Sequence, residues 1–139
     1  MGISFVKNNY KTLLANNSDL KKWLNTVIKK EGFKTGKIYF SFIGDEELLE
    51  INKQFLNHDT YTDIITFDYN EGDLINGEIF ISIDRIIENA NKNNVSFENE
   101  LCRVMVHGVL HLCGYTDKTK KHKLQMTAKE DEMLLLKKD

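Results

Sequence analysis

"SFENELCRVMVHGVLHLCGYTD", residues 96–117, is the stretch on which both the fold and the chemistry turn. Its residues 96–114 read as a helix, the most apolar in the chain and the central one. Ser96 is placed to cap its start. A full capping box needs Glu or Gln three residues after the cap, and Asn99 stands there instead. Gly114 sits where helices commonly end in a left-handed residue.

Outward from this helix the chain alternates between two periodicities. Residues 3–8 read as a short strand. Residues 18–33 read as a helix with Ser18 as N-cap, Leu20, Trp23, Leu24, Val27 and Ile28 at helical spacing, and Gly32 as the stop. "KIYFSFIG" (37–44) alternates and is rich in aromatic and β-branched residues, the pattern of a strand. Residues 45–57 form a second helix, acidic at its start, with Leu48, Ile51 and Phe55 on one face. Residues 62–69 and 77–83 are two more strands, separated by a loop too long for a two-residue hairpin. A third helix over 84–94 and a last amphipathic helix over 118–138 complete the chain. Strands and helices not in strict βαβ order predict an α+β fold, a mixed sheet of about four strands packed with about five helices. The length, 139 residues, suits one domain spanning 1–139.

Apolar residues at 41% and charged residues at 29% fit a soluble globular protein. No apolar run approaches the ~20 residues that cross a bilayer. The start, "MGISFVKNNYK", lacks a basic stretch followed by an apolar one, so no export signal is expected. Met1-Gly2 begins like a myristoylation motif, but Val6 stands where Ser or Thr belongs. The net charge of −2 gives no global preference for nucleic acid. Lys118, Lys120, Lys121, His122 and Lys123 form a local basic run, readable as a solvated helix start or as a phosphate-attracting patch. Cys102 and Cys113 without an export signal are expected to be free thiols in a reducing compartment, packed as small apolar groups.

The chemistry lies in "HGVLHLCGYTD" (107–117). On a helix, residues four apart share a face, so His107 and His111 aim at one point, with Val104 and Glu100 on the same stripe. A turn at Gly114 brings Asp117 toward that point. Lone histidine pairs at this spacing are commonly structural, but the glycine and carboxylate at fixed offsets favour a metal site. Three protein ligands leave a fourth position for water, the arrangement of a catalytic metal. The spacing is that of the metzincin zinc proteases, with Asp at the last ligand position. Those proteases carry a Glu general base directly after the first His, and here that residue is Gly108. The metal geometry survives without the peptidase base, which points to another metal-assisted hydrolysis.

The same eleven residues resemble the H-G-x-L-H-L-x-G-Y-D-H signature of the YbeY family of bacterial endoribonucleases and rRNA maturation factors. "TDIITF" (62–67) is similar to the family's T-D-V-L-S-F strand and "GEIFIS" (77–82) to its G-D-I-x-I-S strand. Glu100, Met126 and Glu130 also fall where the family places such residues, and the likeness runs from about residue 36 to the end. The resemblance implies Zn2+ held by His107, His111 and the third-ligand position, Asp117. It implies a single-strand-specific endoribonuclease acting on the 16S rRNA precursor in 3′-end maturation and ribosome quality control. Its partners would be single-stranded RNA and the small ribosomal subunit with its proteins, in the cytoplasm.

Two positions depart from the family. Its third ligand is usually His preceded by Asp, whereas here Thr116 precedes Asp117. A carboxylate is an acceptable zinc ligand at about 2.0–2.2 Å and moves preference toward harder cations. His122 is the rival third ligand. Upstream, the family's arginine falls on Leu56, and His58 or Arg85 are the candidates to supply the missing charge.

The mechanism these residues predict is attack on a phosphodiester by water whose pKa the cation lowers. Lys118 or Lys121 would stabilise charge on the phosphoryl oxygens. Phe67 and Tyr69 are either base-stacking or core aromatics. Glu78 and Glu100 are candidates to orient the histidines, and Arg103 to pair with Glu100 or with phosphate. A ribosome-associated binding factor with a structural metal, and a metallopeptidase, are the competing readings.

Overall fold

The computed structural model describes residues 2–8, 17–58 and 60–137. The readings that reach Met1, residues 9–11 and Lys138 lie partly outside the described residues. Strand β1 (Gly2–Asn8) is followed by α1 (Asn17–Lys30), β2 (Lys34–Ile43), α2 (Asp45–Leu56), β3 (Ile64–Asp68) and β4 (Leu74–Ser82). Three helices close the order: α3 (Ile83–Asn93), α4 (Phe97–Leu112) and α5 (Lys120–Leu134). The strands form one sheet in the order β1-β2-β4-β3. β2 is parallel to both β1 and β4, and β3 is antiparallel to β4. The expected α+β fold with a mixed sheet is what these residues form.

Helix α4 earns its central place by its side chains. Leu101, Cys102, Val104, Met105, Val106, Val109, Leu110 and Leu112 are all buried, so it is apolar nearly all round. It lies against β3 and β4, with α1, α3 and α5 packed around it. Along β4 burial alternates, with Ile75, Gly77, Ile79 and Ile81 on the buried side. Two glycines set how closely helix and sheet approach. A Cβ on Gly108 of α4 would stand 2.9 Å from Ile64 Cδ1 and 3.1 Å from Ile79 Cγ2. A Cβ on Gly77 of β4 would stand 2.7 Å from the backbone oxygen of Phe67 and 2.9 Å from Leu112 Cδ1.

The opposite face of the sheet is covered at one end by α2, where Ile43, Leu48 and Ile65 are buried with Ile51, Phe67 and Phe80 against them. Trp23 closes α1 onto α5 by donating its indole N–H to the Met133 carbonyl at 2.9 Å.

Element ends differ from expectation where local hydrogen bonds decide them. Ser18 lies inside α1, which begins at Asn17. Gly32 (φ +88°) does end that helix, with Phe33 N–H reaching back to the Ile28 carbonyl. β3 starts at Ile64 rather than at residue 62. β4 starts at Leu74, within what reads as loop, because Glu71 and Leu74 bond each other's backbone and begin the return early. Ser96 caps α4 as expected, its hydroxyl accepting from Asn99 N–H at 3.0 Å.

Candidate metal centre

The end of α4 is built as a Schellman motif. Gly114 has φ +107°, Tyr115 N–H bonds the Leu110 carbonyl and Gly114 N–H bonds the His111 carbonyl. The left-handed residue reverses the chain, which then runs back over the last helical turns. Two side chains hold the turn from outside. Asn70 donates to the Leu112 carbonyl at 2.7 Å, and Tyr115 hydroxyl donates to Glu31 at 2.7 Å.

This reversal sets Asp117 across from both histidines. Asp117 Oδ2 is 3.6 Å from His107 Nε2, and Oδ1 is 3.9 Å from His111 Nε2. One donor atom from each of the three residues lies within 4.8 Å of the others, the group among the described residues able to hold a metal ion. His122 is not part of it; it is exposed at the start of α5, its backbone N–H bonded to Thr119.

Behind the histidines stands Glu130 of α5, buried, with Oε2 2.6 Å from His107 Nδ1. A carboxylate only accepts, so Nδ1 carries the proton of this bond, and in the neutral ring Nε2, facing Asp117, is the nitrogen left for a cation. A carboxylate behind a ligating imidazole fixes both its tautomer and its orientation. Glu130 Oε1 accepts from Arg103 Nη1 at 2.9 Å, and Arg103 Nη2 reaches Asp131. Arg103 therefore pairs with two α5 carboxylates rather than with Glu100.

Electrostatics separate the two imidazoles. Burial works to lower the His107 pKa, but the bond to Glu130 and the charges of Glu130, Asp117 and Asp63 outweigh it and raise it. At His111, burial and then the neighbouring His107 lower the pKa, against the opposing pull of Asp117. The donors open into a cavity of about 350 Å³ whose walls include Asp63, Glu100 and Arg103. Burial raises the Asp63 pKa; burial and then the Asp63 charge raise that of Glu100. The donor set of two imidazoles and a carboxylate, with one imidazole preset by a buried carboxylate, fits a divalent cation of the zinc type.

Other expected residues fall elsewhere. Glu78 accepts from Tyr69 hydroxyl at 3.0 Å and lines a different cavity, with Tyr39 and Asn76, so it does not orient the histidines. Phe67 packs edge-on against Phe55 and Phe80 on the α2 side. Arg85 is bound to Asp45 and Glu88, and His58 is exposed. Gly108 faces β3 and β4, so a side chain there would enter the core rather than the metal cavity. The protease-type general base is thus excluded by packing as well as by sequence. Glu130 is the group whose direct contact sequence spacing alone misses, because no periodicity links α5 to α4.

Fold and donors together define a class: an α+β protein whose central helix, and the turn after it, carry a three-donor centre suited to a divalent cation. The sequence pattern of the family described as Endoribonuclease YbeY matches residues 5–137. A protein of that name from Flavobacterium psychrophilum is 55% identical over 114 residues, 82% of this chain and 81% of its own. Another from Cytophaga hutchinsonii is 47% identical over 137 residues, 98% of this chain and 96% of its own. The solution structure of TM1509 from Thermotoga maritima matches with a TM-score of 0.70 at 32% identity, over 97% of this chain and 87% of that one. The chain belongs to the YbeY family.

Proposed function

We propose that this chain is a metal-dependent endoribonuclease of single-stranded RNA, acting on the 16S rRNA precursor in 3′-end maturation and ribosome quality control in the cytoplasm. The observation that carries the reading is the convergence of His107, His111 and Asp117 with Glu130 behind His107, in a chain whose relatives are named endoribonucleases. His107 Nε2, His111 Nε2 and the Asp117 carboxylate would hold the cation, Zn2+ or a harder divalent ion that tolerates the carboxylate. When bound, such an ion supplies Lewis-acid polarisation of a phosphoryl oxygen and a water of lowered pKa.

The chain's own residues do the rest. Glu130 holds the proton on His107 Nδ1 and so keeps the opposite nitrogen free. Asp63, on the cavity wall and with its pKa raised by burial, is suited to take a proton at its carboxylate and return it to the leaving oxygen. Arg103 anchors Glu130 through its guanidinium.

Cleavage of labelled single-stranded RNA by purified protein, with and without chelator and with elemental analysis of the bound metal, tests the reading. The expected result is metal-dependent cutting that His107→Ala abolishes together with the metal. One observation favours a second reading, a ribosome-associated binding factor with a structural metal. Leu56, 41% exposed at the end of α2, stands where the family places an arginine. That reading predicts RNA binding without cutting in the same assay.

A further inference from the structure

We propose that Lys118, Lys120, Lys121 and Lys123 form a bank that grips the phosphates of single-stranded RNA beside the metal centre, an inference that rests on the nuclease reading above. It begins with a deficit. The cavity walls carry Asp63, Glu100, Asp117 and Glu130 against one guanidinium, Arg103. Both ends of that guanidinium are already matched, to Glu130 and Asp131. A polyanion approaching these walls meets more negative charge than positive, so the attraction that holds an RNA backbone has to come from a bound cation and from the rim.

The chain supplies positive charge directly after the third donor. Lys118 follows Asp117 directly in the chain. Lys118, Lys120, Lys121 and Lys123 are all exposed. Among the described residues none of the four forms an ion pair, whereas Lys129 pairs with Glu31 and Glu132, and Lys137 with Glu98.

Their placement runs against helix stability. Thr119 caps α5, and the first turn holds no acidic residue, only cations and His122. The amino end of a helix is its positive end, where acidic side chains stabilise and lysines destabilise. Folding alone gives no reason to collect lysines there. A phosphate backbone does: exposed ammonium groups and a helix amino terminus both attract it. The net charge of −2 makes this concentration local rather than a property of the whole chain.

The experiment uses the metal-loaded full chain and a fluorescent 2′-O-methyl oligouridylate, checked on a gel to stay intact. Binding is read by anisotropy across a salt series for wild type, for the quadruple Lys→Gln variant and for the quadruple Lys→Arg variant. Removing cations from the positive end of α5 does not endanger folding. The expected result is that the Gln variant binds at least about tenfold more weakly at low salt. Its log–log salt slope should be shallower by roughly 0.7 for each lysine that contacts a phosphate, up to about 3 for all four. The Arg variant should keep the wild-type slope. Equal affinity and slope in wild type and the Gln variant would overturn the lysine bank even if wild type cuts RNA. So would an Arg variant that loses the slope as the Gln variant does. A wild type that binds but cuts no unmodified RNA sinks the nuclease reading instead, while the slopes still decide the lysines.

Discussion

Glu130 Oε2 stands 2.6 Å from His107 Nδ1 while its other oxygen takes the Arg103 guanidinium at 2.9 Å, so one buried carboxylate ties α5, α4 and the candidate metal centre together. Glu130→Gln keeps the shape but replaces half of the acceptor with an amide, which no longer dictates where the imidazole proton sits. Losing such a partner behind a ligand typically costs 10–100-fold in metal affinity. The expected outcome is zinc affinity lower by roughly that factor in a competition titration with a chromogenic chelator. Affinity equal to wild type would show that His107 is oriented by something else.

The turn that delivers Asp117 depends on one backbone conformation. Gly114 has φ +107°, where any Cβ is strained although nothing crowds the side-chain position. Gly114→Ala is expected to lose about 1–2 kcal/mol of stability in urea denaturation. Gly114→Asn should lose less, since Asn tolerates left-handed conformations better than Ala. Both variants should also bind metal more weakly, because the reversal and the third donor are the same piece of chain.

Helix-to-sheet contact gives a pair of predictions with different sizes. At Gly77 a Cβ meets the Phe67 backbone oxygen at 2.7 Å, an atom that cannot rotate away. Gly77→Ala should cost on the order of 1–3 kcal/mol, the range for forcing extra bulk into a packed site. At Gly108 the nearest atom, 2.9 Å away, is the end of the Ile64 side chain, and helix propensity returns about 1 kcal/mol for Gly→Ala. Gly108→Ala should therefore cost less than Gly77→Ala in the same denaturation experiment. The reverse order would mean that β4 yields more easily than the helix does.

How much of this was legible in the sequence depends on how local each feature is. The helical pair His107 and His111, the bend at Gly114 and the carboxylate at 117 sit within eleven consecutive residues, so their convergence follows from helix geometry and a turn. The strands announced themselves by alternation, and the mixed sheet by the order of elements. What stayed hidden was pairing between distant segments. Glu130 reaches His107 because α5 packs against α4, and Glu78 misses it because its side chain joins Tyr69 away from the metal cavity. Both are acidic residues near apolar runs in the sequence; tertiary packing alone distinguishes them. The early start of β4 at Leu74 likewise rests on backbone bonds with Glu71 that no side-chain pattern encodes.

The thiols give a pH prediction with a definite sign. Both cysteines are free. Burial pushes the Cys102 thiol up to about 11 and the Cys113 thiol up to about 12. Neither should be a ready nucleophile, because the thiolate is the reactive form. Native protein at pH 8 should react with a disulfide reagent far more slowly than protein unfolded in urea, with both thiols released together on unfolding. The linkage follows from the same shift. In the folded chain the thiols hold their protons to higher pH than in the unfolded chain, where they titrate near 8.5. Above that pH the unfolded state binds fewer protons, so stability falls as pH rises from about 8.5 through the folded values. Replacing both cysteines with Ala should flatten this alkaline limb of a denaturation-versus-pH series, whatever it does to stability at neutral pH. An alkaline limb unchanged in the double variant would place its cause in groups other than the thiols.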